Sequence, residues 1–252
     1  MAEELTGLLA NCSLNAGDAN TFLDGFIVNI TDTLNTEVEK TCYRMETFGT
    51  DFQSFLYEQL VMYAKLHLPG MVVTCAKDKN TFPDVSLTYS AWSPKPLAVE
   101  IKCGSHHTRT EGGWKETKNS NNDMGTIMSM KKKLSDHSSI LYMFVEYSIT
   151  NTMRRIHRVT CKPFYMYIGK SSDNLLSYRE KDGNLRPSRF MDFDRPWVTT
   201  KEQFEQLLEA TARKRSKAIV LKQLKLLPSE DIREVIRLAT LMVADSGGCD
   251  AA

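Results

Sequence analysis

No stretch of the 252 residues approaches the ~20 consecutive apolar residues of a membrane-spanning helix. The first residues carry Glu3 and Glu4 where a secretory leader would be basic. Membrane and secreted classes are set aside, and a cytoplasmic protein without membrane association is expected. There is no Cys-x-x-Cys either. The six cysteines (Cys12, Cys42, Cys75, Cys103, Cys161 and Cys249) are 28 or more residues apart. That spacing signals neither a zinc ribbon nor a redox dithiol, and it suits small apolar core residues in a reducing compartment. Internal repeats, low-complexity tracts and Pro/Gly/Ser-rich linkers are also missing, so one domain spanning 1–252 is expected. What remains is an ordinary globular composition, 42% apolar and 25% charged.

The formal net charge of +1 conceals a gradient. Residues 1–100 hold 6 basic and 13 acidic residues, a net −7. Residues 101–190 hold 16 and 8, a net +8, and residues 191–252 balance at 10 and 10. A basic middle of this size suggests a polyanion-facing surface, with a solvated face as the plain alternative.

The spacing predicts a helix from about Asp51 to His67, opened by a capping box of Thr50 and Gln53. Its apolar stripe is Phe52, Phe55, Leu56, Tyr63 and Leu66, and Pro69-Gly70 ends it. The period then changes. Met71 to Ala76, Asp84 to Ser90 and Leu97 to Cys103 are short and β-branched, the last two forming a hairpin across Tyr89–Pro96. Residues 104–123 read as a long polar loop, followed by a helix from about Asp123 to Leu134. Ser139 to Ile149 is the most apolar stretch and reads as a central strand. Phe164–Ile168 and Asn174–Tyr178 read as further strands, and helices fill 201–245, one carrying Phe204, Leu207, Leu208 and Thr211 and another starting at Ser229. The order of elements implies an α/β mixed sheet flanked by helices.

The chemistry lies in Phe82-Pro83-Asp84 and, beyond the hairpin turn, Glu100-Ile101-Lys102. Glu100 and Lys102 are two apart on an apolar strand and so point to one side of the sheet, and pairing of the hairpin brings Asp84 beside Glu100. Two carboxylates and an ammonium suit phosphodiester hydrolysis. The carboxylates offer hard oxygens to Mg2+, which neutralises phosphate charge and acidifies water, and the lysine orients that water or stabilises the transition state. The plain alternative is a turn aspartate and two solvated strand residues.

The motif, its strand context and the helix before it resemble the PD-(D/E)xK nuclease superfamily. Within it the phrasing FPDVSLTY…PLAVEIK is most similar to the EcoRV-like branch of type II restriction endonucleases, over roughly residues 50–150. The resemblance implies a restriction-endonuclease-like central mixed β-sheet flanked by helices, with Asp84 and Glu100 as metal ligands for Mg2+ and Lys102 as the catalytic lysine. An acid on the preceding helix completes the implied set, and Glu58 is the candidate, although Gln59 is the neighbour inside the apolar stripe. Cys103-Gly104 stand where that branch carries hydroxyl residues. A homodimer on a palindromic duplex DNA site, genetically partnered by a DNA methyltransferase, is implied as well. A repair, phage or homing nuclease on the same fold, or a non-catalytic DNA-binding protein, is the alternative.

For base reading, the turn at Asp182-Gly183 projects Asn184, Arg186 and Arg189, within a candidate recognition segment of about 160–200. Arg and Asn are the side chains suited to guanine and adenine edges in the major groove. Lys118, Asn119 and Asn122 in the polar loop offer donors of the same kind. Lys131–Lys133 suit a helix C-terminus or a phosphate, and His106-His107 read as an exposed pair.

Overall fold

The computed structural model describes residues 19–40, 43, 48–78, 81–118 and 122–246. Cys12, Cys42, Cys249 and Asn119 lie outside them. A first helix, α1 (Ala19–Val38), precedes the expected one and was not anticipated. It buries Phe22, Leu23, Phe26, Ile30 and Leu34, three to four residues apart.

Helix α2 runs Phe48–His67, so it starts before the expected capping box. Thr50 is therefore a helical residue and Gln53 lies in the second turn, which frees the Gln53 amide for another partner. The buried stripe includes Phe52, Leu56, Leu60, Tyr63 and Ala64, while Leu66 is 67% exposed, off the stripe rather than on it.

Five strands form one sheet in the order β1 (Val72–Cys75), β2 (Val85–Thr88), β3 (Leu97–Ser105), β6 (Ser139–Ile149) and β7 (Arg154–Pro163). Only β3 and β6 are parallel, so the sheet is mixed and helices flank it. The apolar 139–149 run is flanked by strands on both sides, as its composition requires. Between β3 and β6 the polar stretch is not one loop. It holds a separate hairpin of β4 (His107–Thr110) and β5 (Gly113–Glu116), then α3 (Ile127–Asp136), whose Thr126 side chain accepts from Ser129 N at 3.2 Å.

Two expected strands are corrected. Phe164–Tyr167 is a single 3-10 turn, and residues 174–178 make only isolated bridges. The strand that does follow is β7, whose register slips opposite Glu146/Tyr147. That bulge moves its buried positions from the parity of Ile156 to that of Val159 and Cys161, which hides the alternation in the sequence.

The sheet separates two cores. Val85, Leu87, Val99, Ile101, Leu141, Met143 and Val145 face α1 and α2. Ala98, Ile140, Tyr142 and Phe144 face α3, the 164–193 segment and α4 (Lys201–Leu224). A last helix, α5 (Ser229–Ser246), ends the described chain. Among the described residues no helix is long and apolar enough to cross a membrane.

Candidate functional site

Strand β2 is too short to pair with all of β3. It reaches only Leu97, Ala98 and Val99, so the neighbouring edge of β3 is open from Glu100 onward. Asp84 fills that gap with its side chain: Ile101 N–H donates to Asp84 Oδ2 at 2.7 Å, where a longer β2 would have supplied a carbonyl. In return Asp84 N–H donates to Glu100 Oε2 at 3.2 Å. The hairpin thus brings the two carboxylates side by side.

Strand alternation puts Glu100 and Lys102 on the Tyr142/Phe144 face. Lys102 Nζ lies 2.6 Å from Glu100 Oε1 and 5.8 Å from the Tyr142 ring centre. Tyr142 is itself fixed, its hydroxyl donating to Met124 O at 2.8 Å. Burial, and then the negative charge of Glu100, push the Asp84 carboxyl up to about 6, against the pull of Lys102, the Ile101 N–H and the Gln53 side chain.

The helical side chain that reaches Asp84 is therefore Gln53, which the sequence reading had assigned to a cap. Glu58 is five residues further along α2 and exposed, on a different side of the helix from Gln53. Lys133 also belongs to the site's electrostatics. It is half-buried with Nζ 3.6 Å from the Phe82 ring centre, and burial lowers its pKa while Glu100 and Asp84 oppose that shift. The Cys103 thiol is pushed up to about 12 by burial, so a thiolate is not on offer beside the lysine. Gly104 has a packing reason: a Cβ there would sit 2.7 Å from the Phe190 ring and 2.9 Å from that of Phe144.

Among the described residues no three His, Cys, Asp or Glu side chains come together as a metal cage. The pair of Asp84 and Glu100 nevertheless fits a hard divalent cation. Mg2+ is commonly held by one or two carboxylates with water completing its shell, and a cation there would offset the burial and the Glu100 repulsion that raise Asp84.

The candidate base-reading residues are arranged differently from one another. Arg186 is committed within the chain, Nη1 lying 2.9 Å from Asp123 Oδ1 and donating to Asn122 O at 3.4 Å. Asn122 donates to Cys103 O at 2.8 Å, so it braces the strand that carries Lys102. Asn184 gives its backbone N–H and its side chain to Asp182, inside the expected turn. Lys118 and Arg189 are exposed. Replacing Arg186 by alanine is expected to cost about 1 kcal/mol, because Asp123 loses one of its two arginines. Chemical denaturation checks it, and an unchanged midpoint would mean that the pair contributes nothing.

The two histidines are not an exposed pair. His106 Nε2 lies 2.9 Å from Glu146 Oε2 and its ring stacks on Phe190, while His107 Nδ1 lies 2.8 Å from Ser148 Oγ. Ser148 Oγ also lies 2.7 Å from His157 Nε2, and Arg158 binds Glu146 and Asp194. This network closes the far end of β3 and β6.

No family model matches the chain, and no curated protein is significantly similar to it.

Proposed function

We propose that the chain is a Mg2+-dependent endonuclease of restriction-endonuclease-like fold that hydrolyses phosphodiester bonds in duplex DNA at a specific site. The observation that carries this reading is the interlocked pair of Asp84 and Glu100 with Lys102 2.6 Å from Glu100. Hydrolysis forms a P–O bond to water and breaks the one to the leaving sugar oxygen, while charge builds on the phosphoryl oxygens. Asp84 and Glu100 would hold the cation, which supplies charge neutralisation when bound. Lys102 presents a half-buried ammonium to the phosphate and to the attacking water, held in place by Glu100 and the face of Tyr142. Lys133 adds a second positive charge that the carboxylates experience. The net +8 of residues 101–190 supplies non-specific affinity for the backbone.

A nuclease of this fold that does not read a palindrome is the second reading. It is favoured by Arg186 and Asn122 being engaged within the chain. Incubation with plasmid DNA decides between them. Discrete fragments support restriction, a smear or nicking supports the second reading, and intact plasmid with Mg2+ present overturns both. Mg2+ is expected to support cutting, and Ca2+ binding with little cutting, because its looser shell acidifies water less. Equal cleavage in EDTA would refute the metal requirement.

A further inference from the structure

The C-terminal part of the chain carries far more exposed apolar surface than a finished monomer needs. Ten large apolar side chains between Ile219 and Met242 are 39–75% exposed. Together they leave on the order of 900 Å2 in water, close to the ~800 Å2 that each partner of a standard interface buries. Every side chain from Arg233 to Met242 is exposed, so among the described residues nothing covers that part of α5. Most of a helix's stability in a protein comes from packing its apolar face, which the 18-residue α5 does not do in a single copy.

A matching cavity lies elsewhere on the same chain. A groove of about 1110 Å3 runs between α3 and α4, floored by Ile127, Met128, Leu208, Val220 and Leu221. Its own α5 leaves it open, with Met128 76%, Val220 54% and Leu221 58% exposed. The rim carries Lys131, Arg213, Lys214 and Lys217 against Glu209, and Asp173 pairs with Lys214. That leaves a net charge of +2. The first turns of α5 offer Glu230, Asp231 and Glu234 against Arg233 and Arg237, the last paired with Glu234, a net −1. An apolar floor with a basic rim suits an amphipathic acidic helix and not a phosphate backbone, which has no use for the floor.

We infer that two copies of the chain dimerise by reciprocal exchange, the α5 of each lying in the α3/α4 groove of the other. Groove and helix belong to the same chain, so a twofold axis satisfies both at once and leaves neither surface open. The inference goes beyond the nuclease reading and does not depend on it.

Light scattering and sedimentation of the full chain, without DNA or Mg2+, test it across about 1–100 μM. A dimer is expected. Leu221→Glu in the groove and Ile236→Glu on the helix should each raise the dissociation constant by at least about 100-fold, while cooperative thermal unfolding shows that the rest of the chain keeps its fold, because both positions are exposed in a single copy. Mixing the two variants is the decisive step. One carries a sound helix and the other a sound groove, so a heterodimer with one intact contact should form. A monomeric wild type, a dimer indifferent to either substitution, or a mixture that stays monomeric would each overturn the exchange. A purely monomeric chain that still cuts plasmid would sink this inference and leave the nuclease reading standing.

Discussion

Glu100→Ala and Lys102→Ala are each expected to lower Mg2+-dependent DNA cleavage by at least about 1000-fold, a size in line with the removal of a principal electrostatic group from an active site. The two side chains are one unit. Glu100 Oε1 holds the Lys102 ammonium, Glu100 Oε2 accepts from the Asp84 backbone, and Asp84 caps the strand between them. Removing Glu100 takes away a carboxylate of the proposed metal pair and the anchor of the lysine. Removing Lys102 leaves the pair intact and deletes the cation proposed to face the phosphate. The fold should survive both, because Val99, Ile101, Met143 and Val145 lie on the opposite face of the sheet. The losses should also differ in kind. Wild type is expected to gain thermal stability from Mg2+; Glu100→Ala should abolish that gain, whereas Lys102→Ala should keep it and lose only turnover. Cleavage within tenfold of wild type in either variant refutes the assignment, and a loss accompanied by unfolding is resolved with Glu100→Gln and Lys102→Met, which keep the volume.

How much of this was legible in the sequence depends on how far apart the partners lie. The β2–β3 hairpin was readable because a Trp/Pro turn separates two β-branched runs. Asp84, Glu100 and Lys102 stood out because charges at i and i+2 interrupt an apolar strand. Gln53 was not readable, since its partner is 31 residues away and its own neighbourhood imitates a cap. Arg186 looked like a donor projected by a turn, but Asp123, which holds it, is 63 residues earlier and looked like the start of a helix. Strand β7 was hidden by its bulge and by Arg154, Arg155 and Arg158 in a segment of ten residues. Helix α1 had the right period in Phe22, Phe26, Ile30 and Leu34, but its Thr, Asn and Gly residues argue against a helix on propensity alone. Tertiary burial overrode propensity there.

Asp84→Asn is expected to make the metal-free protein more stable at neutral pH while destroying its activity. The reason is a carboxyl held against its preference. Burial and the adjacent Glu100 raise the Asp84 pKa to about 6, above the ~3.9 of an unfolded chain. Between those values the native state binds more protons than the unfolded state, so stability falls as pH rises through that window. Above it the penalty is fully present, at most on the order of 3 kcal/mol for a shift of this size. Asparagine removes the charge and keeps an oxygen for the Ile101 N–H, so the native hairpin is retained. Without divalent cation the variant should melt several degrees above wild type at pH 8, by roughly 5 °C for a chain of this length, and the gap should close toward pH 4. Mg2+ should narrow the gap from the other side, because it repays the repulsion in wild type and finds only one carboxylate in the variant. Melting curves of both proteins at pH 4 and pH 8, with and without Mg2+, give the answer. Equal midpoints at pH 8, or equal stabilisation of both proteins by Mg2+, would show that Asp84 is neither strained by Glu100 nor part of a cation site. On the proposed reading the strain and the chemistry are one property: the hairpin holds two half-buried carboxylates together at a cost in stability, which a bound cation would offset.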